Sequence, residues 1–304
     1  MTAARETAAG GTAATEPLLQ VRGVKVHFPI KRGLFFDRTV GHVKAVDGVD
    51  LSIDRGTTYG LVGESGCGKS TLGRAILRLV EPTAGEVLFD GTDVASLAPE
   101  PMRHMRRRMQ MVFQDPLGSL DPRQDVESLL AEPLHAHGLG GDKAAIARRL
   151  RELLDAVGLP AAALRRYPHE FSGGQRQRIG IARAITVEPD LLIADEPVSA
   201  LDVSVQANII NLLLDLKDSL GLSMLFVSHN MAVVRQISDR IAVMHDGVIV
   251  EQGRTEDVFE RPRDPYTQLL LASVPRLAAG TIPVVDAGQT DRLDQLEELE
   301  AERA

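Results

Sequence analysis

The sequence has a single cysteine, Cys67, in 304 residues. That excludes an internal disulfide and any cysteine-built metal cluster, and it suits a reducing compartment. It also lacks an excess of positive charge, the formal net charge being -8. Affinity for phosphate backbones comes mainly from clustered Lys and Arg, so no nucleic-acid partner is expected. The one dense basic run, Arg103, Arg106, Arg107 and Arg108, reads either as a solvated helix face or as a contact with another subunit. No stretch approaches the roughly 18 consecutive apolar residues of a spanning helix, so any membrane role must come through partners. The opening residues, MTAARETAAGGTAATEP, hold no apolar core of a secretory signal, and residues 1–17 are expected to be a disordered tail. No internal repeat is visible.

What is present is ordinary globular material, 44% hydrophobic and 25% charged, enough for one large α/β domain or a core with a smaller subdomain. Leu19, Val21, Val24, Val26 and Phe28 form an imperfect alternation that reads as an edge strand over 18–28. Residues 29–44 look like an inserted loop or hairpin. Val46, Val49, Leu51 and Ile53 alternate as a half-buried strand, and Tyr59-Gly60-Leu61-Val62 leads through a Gly-rich loop into a helix expected from Lys69 to about Val80. From about Asp121 to Glu170 the pattern is helical. Ile146, Leu150, Leu153, Leu154 and Val157 form a 3.6-residue stripe, with Asp142 as N-cap and Gly158 as stop. This region reads as a helical subdomain inserted in the core, about 121–185. Strand and helix then return: LLIAD, a helix over 205–220, SMLFVSH, and a hairpin turning at Asp246-Gly247. Residues 276–304 read as an acidic, variable tail.

Three motifs carry chemistry. Gly63-Glu64-Ser65-Gly66-Cys67-Gly68-Lys69-Ser70 fits G-x-x-x-x-G-K-[ST] between a strand and a helix. Backbone N–H groups and a helix N-terminus suit a triphosphate there, with Lys69 on the β and γ phosphates, Ser70 at Mg²⁺ and Thr71 among the ATP-binding residues. Cys67 receives no redox role. The apolar run Leu191 to Ala194 ends in Asp195-Glu196; alone this could be a solvated turn, but beside a phosphate loop Asp195 is placed to hold Mg²⁺ through water and Glu196 to polarise the attacking water. Third, Phe171-Ser172-Gly173-Gly174-Gln175 opens a helix with a capping Ser and exposed N–H groups, a second anion site or simply a capped turn.

With Ser172-Gly173-Gly174-Gln175 the sequence resembles the ATP-binding cassette family, over about 18–275. The resemblance implies a P-loop NTPase core of that type, α/β, with an inserted helical subdomain and an antiparallel β part. It implies that each signature covers the ATP on another subunit's phosphate loop in a head-to-tail dimer. Gln114 in MVFQDP matches the Q-loop, sensing Mg²⁺ and water; Ser199-Ala200-Leu201-Asp202 matches the D-loop; His229 matches the switch histidine that contacts the γ-phosphate. The family's adenine-stacking aromatic falls at Phe28, with Phe35 and Phe36 as competitors.

GHVKAVDGVDLSI, MQMVFQDPLGSLDPR and RPRDPYTQLLLASVP narrow the resemblance to the F-type ATPase of bacterial oligopeptide and dipeptide importers, whose C-terminal extension falls at about 255–275. One departure is Asp264 where that extension often reads His-Pro-Tyr. The resemblance implies a second, nonidentical ATPase, two permease subunits, an extracytoplasmic solute-binding protein, and a place on the cytoplasmic face of the membrane. Two other readings are a soluble cassette acting on nucleic acid or ribosomes, whose relatives usually carry tandem cassettes, coiled-coil insertions or zinc cysteines absent from this sequence, and an importer for nickel or another solute. A silent regulatory cassette is disfavoured because Lys69, Asp195, Glu196 and His229 are all present.

Overall fold

The computed structural model describes residues 16–32 and 38–273. Most of the expected N-terminal tail, Phe35, Phe36 and the expected acidic tail lie outside the described residues. The first strands, β1 (Leu19–Arg32) and β2 (Arg38–Ile53), pair antiparallel from Leu19↔Ile53 to Arg32↔Arg38, so the segment read as a loop or hairpin extends both strands. The broken alternation in β1 has a local cause. The register shifts between Val21 and Val24, a bulge that returns Val24 and Val26 to the inner face already held by Leu19 and Val21. β4 pairs with β1 only as far as Lys25↔Ala84, and past that point Phe28 is 42% exposed, beside the exposed Ile30, Val40 and Val43.

The chain continues through β3 (Thr58–Val62), α1 (Lys69–Ile76), β4 (Ala84–Phe89) and β5 (Thr92–Asp93). The antiparallel sheet has the order β2-β1-β4-β5, so β1 is interior rather than the edge strand its sequence suggested. Edge or centre is set by long-range pairing with β4, which a local pattern does not encode. Helix α1 also stops four residues before the expected Val80. Arg78 takes a left-handed φ of 51, Arg78 N–H donates to Ala75 O and Leu79 N–H to Arg74 O, which is the Schellman arrangement. Arginine stands at the position where glycine usually marks this stop. Its side chain is held by Leu97 O, at 2.6 Å.

Helix α2 (Pro99–Arg108) carries the basic run and leads into β6 (Met109–Val112). Three of its four arginines make internal bonds. Arg103 donates to Ala136 O, Arg106 to Leu77 O and Arg78 O, and Arg108 to Asp90 and Asp190. The run therefore ties α2 to its neighbours, which neither sequence reading anticipated. The helical stretch follows as α3 (Pro116–Ser119), α4 (Val126–Ala136), α5 (Lys143–Ala156), two short 3₁₀ turns, and α6 (Gly173–Ile185). Asp142 caps α5 by accepting from Ala145 N–H, as its sequence implies.

The remaining elements are β7 (Leu191–Asp195), α7 (Val203–Leu220), β8 (Ser223–Ser228), α8 (Met231–Ile237), β9 (Arg240–His245), β10 (Val248–Arg254), α9 (Thr255–Glu260) and α10 (Pro265–Ser273). The second sheet runs β10-β9-β3-β8-β7-β6, parallel except for β10. Side chains alternate across it. Leu61, Ile193, Leu225, Val227 and Ala242 join the core shared with the antiparallel sheet and α1, while Val62, Leu192, Ala194, Phe226 and Val243 join the core beneath α6, α7 and the helical stretch. Burial on both faces explains why β7 and β8 read as continuous apolar runs. Among the described residues no helix is long and apolar enough to cross a membrane.

Replacing Arg106 with Met keeps the apolar stem but removes two bonds to backbone carbonyls at the end of α1. Hydrogen bonds from a charged donor contribute about 1.5–3 kcal/mol, reduced here by partial exposure, so urea denaturation should show a loss of about 1–2 kcal/mol. A stability equal to wild type would return the basic run to a solvated face.

Candidate active site

The parallel strands deliver the site. β3 opens into the phosphate loop, and Val62 pairs with Ser228 of β8, which pairs through Val227 with Asp195 of β7. The loop lies tightly on its surroundings. A Cβ on Gly63 would stand 2.1 Å from Met244 O, and one on Gly68 2.0 Å from Ala45 O, both at positive φ, so only glycine fits either position. Lys69, at the start of α1, is 4% exposed and donates to Gly63 O at 2.8 Å and Glu64 O at 2.7 Å. Thr71 follows in the first turn of α1, partly buried. Cys67 is buried within the loop, and burial raises its thiol pKa against the opposing pull of Lys69. A protonated buried thiol fits a packing role.

Ser70 Oγ donates to Asp195 Oδ1 at 2.7 Å, joining the start of α1 to the end of β7. Asp195 Oδ2 is buried with no hydrogen-bond partner. Burial pushes the Asp195 carboxyl pKa up, partly offset by the Ser70 hydrogen bond. An orphaned carboxylate oxygen beside a hydroxyl fits a hard divalent cation. Among the described residues no group of three or more His, Cys, Asp or Glu could hold a metal. The pair therefore suits Mg²⁺, which takes the rest of its shell from phosphates and water, better than a cation needing a full protein cage.

The next residue, Glu196, has a left-handed φ of 46. That conformation is costly for a non-glycine residue and is held by Glu196 N–H donating to Val227 O at 2.9 Å and by Ser199 N–H and Oγ donating to Glu196 O. The buried carboxylate is thereby turned toward two other elements. Gln114 Nε2, just past β6, donates to Glu196 Oε2 at 3.1 Å, and His229 Nδ1, just past β8, lies 3.3 Å from the same oxygen. Gln114, Glu196 and His229, far apart in sequence, thus meet at one carboxylate oxygen.

Ser172-Gly173-Gly174-Gln175 takes no part in that cluster. Ser172 Oγ accepts from Gln175 N–H and Gln175 Oε1 from Ser172 N–H, a capping box opening α6. A Cβ on Gly174 would reach Val205 Cγ1 at 2.5 Å and one on Gly173 Leu201 Cδ2 at 3.4 Å, so the signature is pressed against the segment around Asp202, itself exposed ahead of α7. No hydrogen bond or ion pair among the described residues links 172–175 to 63–71. One contact the sequence reading missed is made by Tyr266, whose hydroxyl accepts Glu64 N–H at 3.2 Å. The signal available was the extension motif around Asp264-Pro265-Tyr266, which says nothing of where it docks.

A family model described as ABC transporter matches residues 46–199, which spans the phosphate loop, Asp195-Glu196 and the signature. The chain belongs to the ABC transporter family. A second model, oligopeptide/dipeptide transporter C-terminal region, matches this cassette over 250–298. The oligopeptide transport ATP-binding protein AppF of Bacillus subtilis strain 168 is 53% identical over 261 residues, 86% of this chain and 79% of its own length. The glutathione import ATP-binding protein GsiA of Salmonella paratyphi A is 55% identical over 260 residues, 86% of the cassette but only 41% of that longer protein. Among solved structures, the dimeric post-hydrolysis cassette MJ0796 bound to ADP and Pi is 29% identical with a TM-score of 0.69, covering 78% of this chain and 98% of that one. The cassette cbiO1 of Clostridium perfringens, part of the transporter complex cbiONQ, is 26% identical with a TM-score of 0.68, covering 81% and 92%.

The raised Asp195 pKa carries a sign for stability. A carboxyl whose folded pKa exceeds its unfolded value of 3.8 contributes stability below that value and loses it as pH rises through the folded pKa. At neutral pH, in chelator, Asp195→Asn should therefore melt higher than wild type. Differential scanning fluorimetry at pH 7 and pH 4 checks it: the gap should narrow at pH 4. A lower melting point for the variant at pH 7 would show that the buried charge is compensated.

Proposed function

We propose that the chain is the ATP-binding and ATP-hydrolysing subunit of an importer for oligopeptides or other short peptides. The chemistry rests on Gln114, Glu196 and His229 meeting at one carboxylate oxygen beside the Ser70–Asp195 pair and Lys69. The solute class rests on the C-terminal match over 250–298 to the oligopeptide/dipeptide region and on relatives named for oligopeptide and glutathione import. A nucleic-acid or ribosomal role has no comparable support.

Lys69 exchanges its bonds to Gly63 O and Glu64 O for the β and γ phosphates, and the backbone of 63–71 with the start of α1 cradles the rest. Phe28, exposed on β1, offers its face to adenine. Ser70 and Asp195 hold Mg²⁺, Asp195 through water. When bound, the ion neutralises charge developing on the phosphates. Glu196 accepts a proton from the attacking water, with Gln114 and His229 fixing the carboxylate's direction. Ser172 to Gln175 and Asp202 serve the ATP held by a second cassette, so each complete site needs two chains. We assign the helical subdomain to about 121–185 and the extension to about 255–275, and place the chain on the cytoplasmic face with a nonidentical second ATPase, two permease subunits and an extracytoplasmic solute-binding protein.

Two experiments probe this division. Lys69→Ala should weaken ATP binding itself, whereas Ser172→Arg should leave binding to the isolated chain nearly intact while blocking turnover with a partner; equal loss of binding in both would end the two-half reading. Glu196→Gln keeps the shape but loses the proton acceptor, and general-base assistance is typically worth about 10² to 10⁴ in rate. Single-turnover hydrolysis in the assembled complex should fall by about that factor with ATP retained, and near-normal turnover would remove Glu196 from the role.

A further inference from the structure

The described C-terminal segment reaches back to the phosphate loop. The turn between β9 and β10 is stitched to the loop by Gly247 N–H donating to Cys67 O at 3.0 Å and to β2 by Asp47 N–H donating to Gly247 O at 2.8 Å. At the same turn the His245 ring is covered by Tyr266 of α10, with ring centroids 3.9 Å apart and a tilt of 32°. From there the Tyr266 hydroxyl accepts Glu64 N–H at 3.2 Å. Glu64 O, on the next peptide, accepts from Lys69 Nζ at 2.7 Å and Cys67 N–H at 3.3 Å. Glu64 is thus held through its N–H by the extension and through its carbonyl by the loop itself.

The anchor of Tyr266 is firm. Both oxygens of Glu251, on β10, accept backbone N–H groups of the extension, from Arg263 at 2.9 Å and Asp264 at 3.1 Å. Asp264 then accepts Tyr266 N–H at its carboxylate, 2.8 Å, and Gln268 N–H at its carbonyl, 3.1 Å. That is an N-cap, and it explains the aspartate where the extension often carries histidine.

Glu64, Ser65 and Gly66 are exposed, so the first half of the loop has little packing of its own. A loop that samples other conformations binds its ligand with an affinity reduced by the fraction that is competent. We propose that Tyr266 is a positioning residue for nucleotide binding, its hydroxyl and ring bracing the phosphate loop from the C-terminal segment. The inference rests on ATP as the ligand of that loop. It assigns to Tyr266 an effect on affinity and none on the hydrolytic step, since its contacts are with Glu64 N–H and His245 rather than with Glu196, Gln114 or His229.

The test is Tyr266→Phe in the full chain, which keeps the ring on His245 and removes only the hydroxyl. Amide hydrogen exchange at Glu64 should speed up. The Kd for a fluorescent Mg-ATP analogue and the KM for ATP should rise about three- to tenfold, the effect of losing one hydrogen bond. The maximal hydrolysis rate at fixed chain concentration should stay at the wild-type value. Tyr266→Leu, which also removes the ring contact, should weaken binding further. Wild-type Kd and KM in Tyr266→Phe would overturn the proposal, as would a loss confined to kcat. A wild-type chain that fails to bind Mg-ATP would instead remove the ATP reading itself.

Discussion

The register of the parallel strands is the constraint on which the site depends. Val112 pairs with Ala194, Asp195 with Val227 and Val62 with Ser228, so β6, β3, β7 and β8 end at one level and release their loops along one edge. A slip of a single residue would turn each side chain to the opposite face. Both faces are packed, and a slip would exchange Leu192 and Ala194 for Leu191 and Ile193 between two separate cores. Hydrophobic packing on two sides thereby fixes, to within one residue, where Gln114, Asp195, Glu196 and His229 emerge.

On that frame the site concentrates costly features. Asp195 keeps a buried oxygen without a partner, and Glu196 sits buried in a left-handed conformation. Each is a local liability that the surrounding bonds over-determine: Ser70 holds Asp195, and Val227 and Ser199 hold the Glu196 backbone. One strained residue and one unsatisfied carboxylate oxygen stand side by side where ligands are proposed to bind, as expected for a site whose groups are aimed before the ligand arrives.

The parts of the molecule legible in the sequence are those whose physics is local. A glycine-rich loop ending in Lys69-Ser70, an apolar run ending in Asp195-Glu196, and Asp142 as a helix cap each declare their structure within a few residues. Phe28 was readable as an aromatic on a strand, though its exposure goes with a position past the end of the β4 pairing, which a local pattern does not encode. What stayed hidden depends on distant partners. β1 lies inside its sheet because β4 pairs with it. α1 stops early because Arg78 takes the left-handed position with its side chain held by Leu97 O. The arginines of α2 spend themselves on carbonyls and aspartates of other elements. The convergence on Glu196 could be inferred by resemblance, but its distances belong to the fold.

The close packing of the signature has a mechanical meaning. Gly174 lies so near Val205 that no side chain fits between them, and Gly173 rests near Leu201. The bare backbone at the start of α6 rests directly on the Leu201 and Val205 side chains, with no side chain of its own between. With only that one layer of side chains between the two backbones, a push on one is passed to the other, so the two surfaces assigned above to a neighbouring cassette would behave as a single jaw rather than as two independent fingers.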